Sequence, residues 1–143
     1  MQTPTVVEYG LPISLADAKI VVAAAEREAV ANGFAAIIAV VDSAAQLVLL
    51  ERLDQAQLGS IQVAIAKAEA AVRFKRPTKA FEDALAQGGV SLRLLSLPGV
   101  IAVDGGIPLL NEGKIVGAIG VSGMLAQQDA QVAAAGAGAF HRM

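Results

Sequence analysis

With 143 residues, 55% of them hydrophobic and 17% charged, the chain is long enough for one domain with a real core. It is apolar for a soluble monomer, which points to a subunit interface. A net charge of −2 and 3% aromatic residues leave no basic face or aromatic ladder for nucleic acid, and no run of about 18 uncharged apolar residues is present to span a membrane. Cysteine is absent, which excludes disulfides, thiolate metal sites and a cysteine nucleophile, and the single histidine, His141, excludes a histidine-rich metal site within one chain.

The amino terminus has no basic start followed by an apolar stretch, so no signal peptide is expected and the expected compartment is the cytoplasm. One domain over 1–143 is expected, with 1–12 as an extended arm. Ser14-Leu15-Ala16-Asp17 reads as a capping box, Ser14 capping and Asp17 reaching back. Leu15, Ala18, Val22, Ala25 and Ala29 then predict a helix with an apolar stripe, ended by Asn32-Gly33. Phe34 to Val41 is almost purely apolar and reads as a strand covered on both faces. Asp42-Ser43-Ala44-Ala45 turns the chain, and Gln46 to Glu51 returns as the second strand of a hairpin.

A long helix is predicted over about 57–74, burying Ile61, Ala64, Ile65, Ala68 and Val72, with Glu69 and Arg73 paired outside. Pro77 breaks it. Thr78 is placed to cap a short helix with Glu82 and Asp83 in its first turn, ended by Gly88-Gly89. A helical turn over 91–96 and three short strands, at about 100–103, 107–110 and 114–121, follow. Asp104-Gly105-Gly106 and Asn111-Glu112-Gly113 supply the turns between the strands. A last helix runs from near Gln127 to Phe140. Its Ala130, Ala133, Ala134, Ala137 and Gly138 leave a face almost without side chains, suited to close packing. The order α-β-β-α-α-β-β-β-α predicts an α+β fold with helices on a five-stranded antiparallel sheet.

Candidate sites compete with structural roles. Gly120-Val121-Ser122-Gly123 ends a strand before a helix, where free amides and a hydroxyl suit a carboxylate or phosphate; a tight turn needs the same glycines. Asp129, in the first turn of the last helix, suits a general base, an iron-facing carboxylate or a dipole partner. Gln127 and Gln128 suit ligand orientation. In Phe74-Lys75-Arg76-Pro77-Thr78, Arg76 suits a bidentate carboxylate clamp, against the alternative of a solvated helix end. Lys67, among Ala and Ile, either needs a buried partner or snorkels outward. Asp42 and Asp104 are turn residues. His141 can ligate iron only from a terminal tail or across a subunit boundary; Tyr9 and Met124 are candidate weak haem ligands, against the expectation that Tyr9 packs the arm and Met124 the core.

Several stretches together resemble the haem-degrading or haem-binding family that includes HbpS, GlcG and the carboxy-terminal domain of PduO. They are Ala39-Val40-Val41-Asp42 through Leu47-Val48, Ala64-Ile65-Ala66-Lys67-Ala68, Arg76-Pro77-Thr78, Gly105-Gly106-Ile107-Pro108, and Gly117-Ala118-Ile119-Gly120-Val121-Ser122-Gly123 with Gln128-Asp129. The resemblance implies a profilin-like fold, a dimer-based homo-oligomer, haem as a candidate cofactor, and a ligand site drawing on Arg76, Thr78, Gly105, Gly106, Ile107, Gly120, Val121, Ser122, Gly123 and Gln128. The chain departs from the family pattern at Ala44-Ala45, where glycine is common, and at Ala130-Gln131-Val132, where relatives carry a further acid.

Three functions follow. The first is binding of haem or a similar carboxylated small ligand, linked to haem breakdown as the resemblance implies, with Arg76 and the amides near Gly120–Gly123 on the carboxylates. The second is a tautomerase, deaminase or hydrolase acting on a carboxylated catabolic intermediate, with Asp129 or Ser122 handling protons and Arg76 holding the substrate. The third is a non-catalytic structural oligomer.

Overall fold

Four strands and five helical segments make up the structure, a computed structural model that describes residues 6–141. In chain order they are α1 (Leu15–Asn32), β1 (Ile37–Asp42), β2 (Leu47–Arg52), α2 (Ser60–Arg73), α3 (Thr78–Ala86), a 3₁₀ helix (Gly89–Ser96), β3 (Gly106–Asn111), β4 (Lys114–Ser122) and α4 (Ala126–His141). The sheet order is β2-β1-β4-β3, and every neighbouring pair is antiparallel. Two local hairpins are thus zipped together by the long-range pairing of β1 with β4, from Ile37 opposite Ser122 to Asp42 opposite Gly117.

Strand periodicity sorts the side chains between two layers. Ile38, Val40, Ile119 and Val121 join the core under α1 and α4. On the other face Ile37, Ala39, Val41 and Ala118 pack with α2. That two-sided burial is why β1 lacks the polar alternation of a half-exposed strand.

Local signals act mostly as their chemistry requires. The Ser14 hydroxyl accepts from Asp17 N at 3.1 Å, and Gly33 closes α1 in the left-handed region at φ 70°. Asp42 Oδ1 accepts from Ala44 N and Gln46 N, bracing the first hairpin, where Ala45 holds a left-handed φ of 62°. Glu112 and Gly113 are both at positive φ, the requirement of a tight hairpin turn between β3 and β4. The arm lies along β4 beyond the end of β1: Ile115 N donates to Glu8 O, Gly10 N to Ile115 O, and Ile13 N to Val116 O. Residues 1–5 of the expected arm lie outside the described residues.

Several expectations are corrected. The sheet has four strands, not five, because 100–103 is irregular. Both edges of β4 are taken by β1 and β3, and β3 carries Pro108, which has no N–H to donate to a further strand. The segment is held at its end instead, with Val121 N donating to Gly105 O and Asp104 N to Glu82 Oε1. Thr78 does not cap α3; Pro77 occupies that position, and Thr78 is its first helical residue. Glu82 and Asp83 therefore lie beyond the first turn and pair with Lys79. Leu15 is exposed, and Val21 joins the buried stripe in its place. Met124 is exposed rather than in the core. On α4, Ala133, Gly136 and Ala137 are buried while Ala134 is exposed, so the close-packed face is turned slightly from the one expected.

Candidate functional site

Two centres emerge, one sealed and one open. The sealed centre begins with glycines. Gly106 and Gly120 face each other across β3 and β4. A Cβ on Gly120 would stand 2.1 Å from Ala64 O and 2.6 Å from Ala68 N; one on Gly106 would stand 2.5 Å from Lys67 O. These glycines therefore seat α2 directly on the sheet, and the surface expected as a ligand floor is covered by helix backbone. Gly123, at φ 142°, makes the strand-to-helix turn, where a Cβ would meet Ala35 O at 2.5 Å.

Close seating carries Lys67 inward, where it is 1% exposed. Its Nζ donates to Val121 O at 2.8 Å and to Asp129 Oδ2 at 3.3 Å. Asp129 is 2% exposed, and its Oδ1 accepts from Met124 N at 3.0 Å. Burial pushes the Lys67 ammonium below its ordinary value, and the Asp129 carboxylate opposes that fall. Burial pushes Asp129 upward against the Met124 amide and Lys67. Nearby Asp104 is also raised by burial, against the Gly105 amide; Glu82 adds to the rise.

The remaining expected residues surround this pair as supports. The Thr78 hydroxyl accepts from Gly106 N at 2.9 Å, tying α3 to β3. The Ser122 hydroxyl donates to Ser60 Oγ at 3.1 Å, tying β4 to α2, and is buried. Gln128 Oε1 accepts from Leu125 N, serving the start of α4. Gly105 packs against Lys67 Nζ, where a Cβ would lie at 2.9 Å.

The open centre lies at the far end of α2, about 10 Å along the helix from Lys67. Lys75 turns the chain at φ 56°, and Arg76 N returns to Ala71 O, closing the helix end. A groove of about 250 Å³ opens there, lined by Lys75, Arg76, Pro77, Ile107, Pro108 and His141 among others. Lys75 Nζ donates to Val7 O at 2.5 Å and lies 4.8 Å from the Tyr9 ring centroid. Tyr9 in turn donates to Val72 O at 2.8 Å. Arg76 Nε donates to Phe74 O at 2.8 Å, and its guanidinium carbon is 5.7 Å from the Phe81 ring centroid. Its Nη groups have no partner among the described residues. His141 Nε2 accepts from Leu110 N at 3.2 Å, which places the imidazole proton on Nδ1.

The structure thus brings Arg76 and Ile107 together at the groove, and Asp129, Val121 and Gly105 together around Lys67. It does not join Arg76 to Asp129. Sequence reasoning missed the membership of Lys75 and His141 in the groove. The one signal for Lys75 was its place beside Arg76; for His141 there was none, because residues 75 and 141 meet only through the packing of α2, β3 and α4. Among the described residues no cluster of three or more His, Asp or Glu is arranged to hold a metal ion, and no helix is long and apolar enough to cross a membrane.

An α+β protein with helices on both faces of a four-stranded antiparallel sheet, carrying a cationic, apolar-walled groove, is the class these features define. Residues 13–138 match the family described as haem-degrading protein HbpS-like, and the chain belongs to that family. It is 35% identical to protein GlcG of Escherichia coli K12 over 105 residues, 73% of this chain and 77% of GlcG. Its fold is similar to that of Klebsiella pneumoniae protein ORFY, with a TM-score of 0.85, 28% identity and 99% of each chain covered. It is also similar to PduOC solved as a haem complex, with a TM-score of 0.81, 26% identity and coverage of 90% of this chain and 95% of the other.

Proposed function

We propose that this protein binds haem, or a similar planar ligand with carboxylate groups, in the groove between the end of α2, β3 and the end of α4. The observation that carries the reading is the convergence of two cations, Lys75 and Arg76, on an apolar wall of Pro77, Ile107 and Pro108. Charged donors beside apolar surface suit a ligand with a flat hydrophobic body and ionised substituents. The family description and the haem complex of PduOC support the same ligand class.

The residues present fit such a group. Arg76 offers the planar fork that matches a carboxylate, and Lys75 a second point charge. Pro77, Ile107 and Pro108 offer contact for one edge of a ring and exclude water from it; His141 is the nitrogen donor of the groove. When bound, haem would supply the redox chemistry of its iron, and the side chains of the groove hold and orient it. Of the residues singled out in the sequence, Arg76 and Ile107 are direct contacts in this reading. Thr78 and Gly120 flank Gly106, the residue before Ile107, behind the wall; Gly105 and Val121 border Lys67, and Ser122 and Gly123 lie at the start of α2 and beside Ala35.

We read the protomer as self-associating, on the strength of its exposed 3₁₀ ridge. Leu92 and Leu95 stand three apart, on one side of that helix, at 54% and 73% exposure. Light scattering after size exclusion checks this, and a monomer at every concentration would count against it. For the ligand, titration of the protein with hemin should give a saturable Soret change, and Arg76→Ala should weaken it about tenfold, as loss of a charge-assisted hydrogen bond does. Unchanged affinity in both Arg76→Ala and Lys75→Ala would overturn the groove as the site.

A further inference from the structure

We infer that His141 Nε2 is the axial ligand for iron when haem occupies the groove, an inference that rests on the groove reading above. Haem differs from other metal centres in needing only one or two protein donors, since its porphyrin supplies the remaining four. A chain with a single histidine can therefore serve haem where it cannot build a histidine-rich metal site.

The placement of that histidine is specific. His141 is the last residue of α4, it lines the same groove as Lys75 and Arg76, and its ring packs edge-on against Phe140 at 5.9 Å between centroids. Its one lone-pair nitrogen is Nε2, which accepts a single hydrogen bond of 3.2 Å from Leu110 N. Leu110 lies near the end of β3, an edge strand of the sheet, and is exposed. Its N–H can pass from the imidazole to water at little cost, whereas a buried donor would lose its partner outright. Ligation would turn the imidazole away from Leu110 N and move no proton: Nε2 would give its lone pair to iron, Nδ1 would keep its hydrogen, and the freed Leu110 N–H would take a water as acceptor.

The other side chains weighed as donors are worse. The Tyr9 hydroxyl is committed to Val72 O, and its ring lies under Lys75 Nζ. A coordinating phenolate would have to abandon the hydrogen bond it donates there. Asp129 is sealed against Lys67 with both oxygens engaged. His141 is exposed, so its replacement leaves the core intact.

The test is hemin titration of the full chain and of His141→Ala, read by absorption and by electron paramagnetic resonance, with far-UV circular dichroism confirming the fold. The wild type should show a histidine-ligated spectrum. His141→Ala should still bind, through Lys75 and Arg76, but lose that signature, and added imidazole should restore it. An unchanged spectrum in His141→Ala overturns the ligation and leaves the groove reading standing. If the wild type shows no saturable Soret change, both fall. A groove variant, Arg76→Ala, that loses affinity but keeps the histidine signature separates carboxylate binding from ligation and supports both.

Discussion

The Lys67–Asp129 pair makes the sharpest test of the physical reasoning. Asp129→Asn keeps the shape and an oxygen able to accept from Met124 N, but removes the charge facing Lys67. The lysine is then left 1% exposed with Val121 O as its remaining hydrogen-bond partner. Breaking a buried ion pair from one side costs about 3–5 kcal/mol, because the surviving charge stays desolvated. For a chain of this size each kcal/mol lowers Tm by about 3 °C, so the variant should melt roughly 10–15 °C lower. Lys67→Met should cost less, since Asp129 keeps its backbone donor and can take up a proton. The double variant should be no worse than Asp129→Asn alone, a coupling of about 2 kcal/mol or more.

Urea unfolding followed by far-UV circular dichroism suits a chain without tryptophan. The pH dependence gives a second signature. Burial depresses Lys67, so over the range below the ordinary lysine value the folded chain sheds a proton that the unfolded chain keeps. Stability of Asp129→Asn therefore rises with pH through that window. A loss under about 1 kcal/mol, or additivity of the two single substitutions, would refute the claim that these groups are sealed and paired.

Three further outcomes follow from local geometry. Gly120→Ala places a methyl 2.1 Å from Ala64 O, and should cost more than about 3 kcal/mol, visible as lost soluble, folded protein; Gly33→Ala, at φ 70° with open space around it, should cost only about 1 kcal/mol. Glu112→Asn gives the β3–β4 turn the Asn-Gly sequence that its two positive φ values favour, and should raise Tm by a few degrees. Burial, and then the Glu26 carboxylate, hold Glu51 above the ordinary glutamate value. The folded chain thus keeps a proton that the unfolded chain has lost, so this contribution to stability is full in acid and fades as pH rises through the folded value. Glu26→Gln should accordingly raise Tm at pH 7 more than in acid, and an equal effect at both would exclude the carboxyl pair as its cause.

What was legible in the sequence was local. Ser14, Gly33, Asp42 and the Asn111-Glu112-Gly113 turn each satisfy a backbone need within a few residues, so their roles could be read without knowing the fold. The extra strand at 100–103 failed for a non-local reason. Its Val-Ile-Ala-Val run has strand propensity, but β4 has no edge left to offer it. Lys67 failed similarly. It lies three residues from Ala64, four from Ala71 and seven from Ser60 on the helical repeat, all buried, so its face could be read as inward. What could not be read was its partner, 62 residues away on α4, which follows both β3 and β4 in the chain.

The glycine-rich stretches link the two centres in one construction. Gly106 and Gly120 let the backbone of α2 lie against β3 and β4, and that closeness is what buries Lys67 and makes Asp129 necessary. The residue after Gly106, Ile107, lines the groove, and Thr78, which holds Gly106 N, follows directly on Arg76 and Pro77. The same contact that seats the helix therefore fixes the spacing between the cations and the apolar wall. Gly106 and Gly120 shape the groove indirectly: they set the height of a helix over a sheet, and the groove is what that height leaves open at the helix's end.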